Sequence, residues 1–155
     1  LIETGKLPLR PGIHRFMKEA MEAGIKVGVC TTSNEQAAKA ITEKILTDIK
    51  FELVLAGDVV KNKKPDPEIY NLALSKLGLK PEEVMVVEDS KNGLKAAKAA
   101  GIQAIDSVYG DVEDLAGLAA WARCSRAMAW AGMQISVTAE SIIDVRRARV
   151  GRIIG

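Results

Sequence analysis

Four short apolar runs punctuate the chain: KVGVC at 26–30, FELVL at 51–55, VMVV at 84–87 and IQAI at 102–105. The stretches between them carry helical rather than strand periodicity, and this alternation restricts the fold more than any other feature. Strands joined by helical crossovers pair in parallel, whereas antiparallel neighbours need only tight turns. Ile13, Phe16, Met17, Ala20 and Met21 recur at helical spacing after Arg10-Pro11-Gly12, and Gly24 suits the stop. A second helix follows Thr31-Thr32-Ser33-Asn34 and runs to about residue 46. Asp66 and Pro67 open a third, with Ile69, Tyr70, Leu72, Ala73 and Leu77 as its apolar face before Gly78. LKAAKAA, residues 94–100, gives a fourth. Helix and strand thus alternate four times, which predicts an α/β fold, a doubly wound, Rossmann-like three-layer parallel sheet.

The 155 residues suffice for one main domain with a sizeable core. No apolar run approaches the ~18 residues needed to span a bilayer, so no membrane partner is expected. A net charge of +2 and an aromatic content of 4% offer little to capture or stack nucleic acid. Cys30 and Cys124 stand far apart without metal-ligand or redox spacing, which fits free thiols in a reducing compartment. The expected localisation is cytoplasmic, or a reducing organelle such as a plastid if a transit peptide lies upstream.

The chain has two textures. Up to residue 105 its basic residues are 14 Lys and 2 Arg; from residue 106 onward there are 6 Arg and no Lys. The later part holds Trp121 and Trp130, and DLAGLAAWARCSRAMAWAGMQISV shows neither clean strand alternation nor a capped amphipathic helix. Two readings stay open for it: a helical extension packed on the domain, or foreign sequence from a fusion or reading-frame slip.

In open parallel sheets ligands bind beyond the carboxyl ends of the strands. Thr31, Thr32, Ser33 and Asn34 follow the first strand, Asp58 and the lysines 61, 63 and 64 follow the second, and Glu88 and Asp89 end the third. The hydroxyls and Asn34 could simply cap the next helix, and a KNKK run is ordinary solvated surface. Lys64 differs because Pro65 restricts its backbone and so aims its side chain. Capping needs one acid rather than two, and paired like charges repel, so Glu88 and Asp89 call for a cation. Mg2+ bound by one or two carboxylates, with a lysine and small hydroxyls on phosphate oxygens, would meet that need. The set reads as phosphoryl transfer.

From about Leu9 to Ile105, RPG, VGVCTTSN, AGDVVKNKKPDPEIY and VMVVEDSKNGLKAAKAAG occur in an order and spacing that resemble the haloacid dehalogenase superfamily. The nearest branch is that of beta-phosphoglucomutase and CbbY-type sugar-phosphate phosphatases. The resemblance implies Mg2+-dependent hydrolysis of a small phosphorylated substrate, a sugar phosphate, through an aspartyl phosphate. It implies that Thr31 and Lys64 are catalytic and contact the phosphoryl group, with Thr32, Ser33 and Asn34 as further phosphate or substrate contacts, and that Glu88 and Asp89 hold the metal. Lys61 and Lys63 match nothing catalytic, and His14 reads as a structural or exposed histidine. The family's Asp-x-Asp, which supplies nucleophile and acid/base, has no counterpart here, and neither does its helical cap. The expectation is a core lacking the first strand and cap: residues 1–9 a linker, 10–117 a partial core and 118–155 a tail of uncertain origin. The chain alone is expected to be inactive, and the complete protein monomeric. Phosphomutase is the sibling activity, and a non-enzymatic phosphate- or partner-binding relative is the alternative. A receiver-like or nucleotide-binding domain fits less well, since no glycine-rich phosphate loop follows any strand.

Overall fold

The computed structural model describes residues 12–106 and 134–137. The expected linker, Cys124, both Trp residues and most of the tail lie outside them. Within them the chain runs α1 (Ile13–Glu22), β1 (Lys26–Cys30), α2 (Glu35–Lys39), β2 (Phe51–Leu55), α3 (Glu68–Leu77), β3 (Val84–Glu88), α4 (Lys91–Ala99), β4 (Gln103–Asp106) and β5 (Gln134–Val137). α2 passes directly into a π-helical segment, Ala40–Ile45, so the predicted second helix is present with a change of winding.

Helices α1 and α4 end in the same way. The Gly24 N–H donates to Met21 O and the Ile25 N–H to Ala20 O; Gly101 N–H donates to Lys98 O and Ile102 N–H to Ala97 O. Both glycines hold positive φ, 78° and 75°, where a Cβ would be strained, and the paired bonds satisfy carbonyls that a helix end leaves open. Each closure turns the chain straight into the following strand.

All five strands are parallel, in the order β2-β1-β5-β3-β4. α1 supplies Ile13, Phe16, Met17 and Ala20 to a core on one face with Val27, Val29, Ile41 and Val87. α3 and α4 supply Ile69, Tyr70, Leu74, Ala96 and Ala97 to the other face with Cys30, Leu55, Val84 and Val86. The sheet is therefore covered on both sides, as predicted. Each large side chain buried in this way contributes roughly 1.5–3 kcal/mol.

One element departs from expectation. QISV, the end of a stretch that shows no strand pattern in the sequence, forms β5 in the middle of the sheet. Val27 pairs with Ile135 and Val29 with Val137 on one side; Met85 pairs with Ile135 and Val87 with Val137 on the other. β1 and β3 are buried on both faces over nearly their whole length, and a central strand between them supplies the ladder partners their inner edges require.

Candidate functional site

Side chains in a strand alternate between faces, so Glu88 follows Val84 and Val86 toward α3 and α4. It is 1% exposed, and a carboxylate so deep must be paired and hydrogen-bonded. Its Oε1 accepts from Lys64 Nζ at 2.5 Å and from the Tyr70 hydroxyl at 2.8 Å. Its Oε2 accepts from the Ser90 hydroxyl at 3.1 Å and the Ser90 N–H at 3.4 Å. Lys64 Nζ also donates to the carbonyl of Cys30 at 3.1 Å and stands 4.9 Å from the centre of the Tyr70 ring. With the Lys64 side chain only 6% exposed, the ion pair is buried at both ends.

The chain makes room for this pair through its choice of small residues. Ser90 caps α4 by accepting from the Gly93 N–H at 2.9 Å while donating to Glu88. Gly93, on the first turn of α4, lies directly against the Glu88 carboxyl group.

Thr31 follows β1 and is fully buried, its N–H donating to Leu55 O at 2.9 Å and its Oγ1 accepting from the Ser33 N–H at 3.0 Å. Gly57 N–H donates to Ser33 O at 2.8 Å, and a Cβ on Gly57 would lie 2.3 Å from Thr32 O, so the turn is seated on the segment after β2. Asn34 caps α2, its Oδ1 accepting from the Ala37 N–H at 2.8 Å. Asp58 reaches the same helix start by accepting from the Glu35 N–H at 3.2 Å.

The loop carrying Lys64 is tied down from α3. Glu68 accepts from the backbone N–H groups of Lys61 and Asn62 at 2.9 and 2.8 Å, and its own N–H donates to Asp66 Oδ1 at 2.9 Å. Donation by the Lys61 and then the Asn62 amide holds the Glu68 carboxyl below its ordinary value. The Lys64–Pro65 peptide bond is cis. Lys61 and Lys63 are exposed.

Of the residues singled out in the sequence, Lys64 and Glu88 meet directly, and Lys64 bonds the residue just before Thr31. Asp89 is half-buried at the end of β3, with its Oδ1 shielded from solvent. Glu88 turns inward to protein donors, so the two adjacent acids face different surroundings. His14 lies elsewhere, its Nε2 within 2.9 and 3.0 Å of the two Asp48 carboxylate oxygens. Three contributors escape a reading of the sequence alone: the Tyr70 hydroxyl, Ser90 and Glu68. Ser90 carries a legible signal as a serine directly before a helix. For Tyr70 the signal is a phenol, rather than a phenyl, within an apolar helix face, since a buried hydroxyl requires a partner.

The profile of the haloacid dehalogenase-like hydrolases matches residues 1–101. The chain belongs to that family. A CBBY-like protein of Arabidopsis thaliana is 50% identical over 116 residues, covering 74% of this chain and 36% of the relative. Protein CbbY of Cereibacter sphaeroides is 42% identical over 123 residues, covering 76% and 53% respectively. A crystal structure of CbbY from Rhodobacter sphaeroides in complex with phosphate superposes with a TM-score of 0.63 at 42% identity, over 68% of this chain and 48% of that one. The chain thus spans about a third to a half of the length of these relatives. The HAD-like, Rossmann-type core expected from the motifs is the fold observed.

Proposed function

We propose that this chain is the phosphate- and metal-holding half of a sugar-phosphate phosphatase. The observation that carries the reading is the buried Lys64, fixed at the end of β1 by Cys30 O and held against Glu88. An ammonium has three N–H donors, and these two bonds leave one direction for a phosphoryl oxygen beside the Thr31 turn. Thr31 would contact the same group, with Thr32, Ser33 and Asn34 bordering the substrate.

Asp89 fits a magnesium ion. It offers hard carboxylate oxygen at a strand end, and Mg2+ commonly takes one or two carboxylates together with water and substrate phosphate. In this reading Asp89 holds the ion, while Glu88, its oxygens engaged by Lys64, Tyr70 and Ser90, sets the ammonium in place. When bound, Mg2+ would supply charge neutralisation at the phosphoryl oxygens. Lys64 would stabilise the same developing charge.

The 155 residues contain no Asp-x-Asp, so the attacking aspartate, and with it the aspartyl phosphate, would belong to sequence outside them. A sugar phosphate is the proposed substrate because a CbbY structure from Rhodobacter sphaeroides, 41% identical, holds xylulose-1,5-bisphosphate. A phosphatase from Thermotoga maritima named for phosphorylated carbohydrates is 35% identical over 135 residues. A phosphomutase would use the same half, and a putative beta-phosphoglucomutase structure from Thermotoga maritima at 32% identity keeps that reading in play.

Titration of the chain with inorganic phosphate, with and without Mg2+, tests the proposal. Binding strengthened by Mg2+, lost in Lys64→Met and made Mg2+-independent by Asp89→Asn, is expected. No phosphate binding by the folded chain would overturn it. Turnover of a generic phosphate ester by the pure chain, abolished by Asp89→Ala, would overturn the placement of the nucleophile elsewhere.

A further inference from the structure

We infer that Tyr70 is a positioning residue for phosphate capture, acting through Glu88 on Lys64; this rests on the phosphate-binding reading above. Tyr70 sits on the first turn of α3, 1% exposed, and does two things at once. Its hydroxyl donates to Glu88 Oε1 at 2.8 Å, the same oxygen that accepts from Lys64. Its ring stands 4.9 Å from Lys64 Nζ, a cation–π distance.

Glu88 Oε1 is shared between two donors. A carboxylate oxygen that accepts from a neutral hydroxyl spreads part of its charge onto that donor, and so binds a neighbouring ammonium less exclusively. Ser90 occupies Oε2, so Glu88 is held from both sides and cannot swing wholly onto Lys64. The ring meanwhile attracts the ammonium at a cation–π distance without offering it a competing anion. The ammonium is thereby kept in place while remaining open to a second anion. A phenylalanine would preserve the ring and packing but leave Oε1 to Lys64 alone, closing the pair on itself.

The test is a cycle of Tyr70→Phe, Glu88→Gln and the double variant in the full chain, with inorganic phosphate affinity measured by calorimetry and folding checked by circular dichroism. Tyr70→Phe is expected to weaken phosphate binding about fivefold, the scale of one ordinary net hydrogen bond. In the Glu88→Gln background the same change is expected to do nothing, because the route through the carboxylate is gone. Equal phosphate affinity of the unaltered chain and Tyr70→Phe would overturn the inference while leaving the phosphate site standing. An undiminished effect in the Glu88→Gln background would assign Tyr70 a packing role and also overturn it. Absence of binding by the unaltered chain would remove the function and this inference together. If Tyr70→Phe does not fold, 3-fluorotyrosine in a Tyr109→Phe chain reports on Tyr70 alone. Saturating phosphate should move its single fluorine resonance, and a resonance that stays put overturns the inference.

Discussion

The carboxyl carbon of Glu88 lies 1.9 Å from the point that a Cβ on Gly93 would occupy. No side chain fits at Gly93 unless Glu88 retreats, and Glu88 is held by Lys64, Tyr70 and Ser90. The absence of one methyl group on α4 therefore sets the depth of the buried acid. Gly93→Ala should destabilise the fold by about 1–3 kcal/mol through overpacking, despite alanine's better helix propensity. Urea midpoints for the two proteins check the sign, and a stabilised Gly93→Ala would refute the close fit.

Lys64 and Glu88 invite a second cycle. Removing one member of a buried pair strands the other, a loss of about 3–5 kcal/mol, whereas removing both charges leaves nothing stranded. Lys64→Met alone should thus be less stable than Lys64→Met with Glu88→Gln. Chemical denaturation of the three variants measures the coupling, and simple additivity of the two losses would contradict a buried interaction.

Two carboxylates should contribute to acid sensitivity. The hydrogen bond from His14 holds Asp48 below its ordinary 3.8, and the amides of Lys61 and Asn62 hold Glu68 below its ordinary 4.5. A carboxyl depressed in the folded state binds its proton less readily there than in the unfolded chain. Its contribution is complete above the unfolded value and is lost as pH falls through the folded one. Denaturation midpoints between pH 6 and 3 should fall less steeply for Asp48→Asn and Glu68→Gln than for the unaltered chain. Parallel curves would argue against either contribution.

β5 places residues 134–137 in the centre of the sheet. Deleting residues 118–155 removes the strand that pairs with both β1 and β3, so cooperative unfolding should be lost or the denaturant midpoint should drop sharply. Ser136→Pro is the gentler form: a proline within a central strand removes a ladder donor and should lower the midpoint. An unchanged midpoint in both would mean that the sheet closes without this strand.

Much of this was legible in the residues. Short apolar runs separated by helical spacing specify β1 to β4, and the rule that ligands gather at carboxyl ends picks out Thr31, Lys64, Glu88 and Asp89. What adjacency in sequence does not display is direction. Glu88 and Asp89 read as a pair, yet the parity that carries Val84 and Val86 inward carries Glu88 with them, to a depth decided by Tyr70 and Gly93. β5 was hidden for a different reason. QISV is four residues long and ends a stretch without clean periodicity, and its place follows from the ladder needs of two distant strands rather than from its own pattern.

The middle of the sheet is also the last described part of the chain to be synthesised. While residues 12–106 emerge, β1 and β3 each have an inner edge whose partner has yet to be made, and neither pairs with the other. Two such edges, flanked by Val27, Val29, Val86 and Val87, are templates for any extended segment nearby, including that of a neighbouring nascent chain. Until residue 137 clears the ribosome, these two edges lack the strand that joins them in the sheet, and shielding them falls to whatever else the nascent chain can offer.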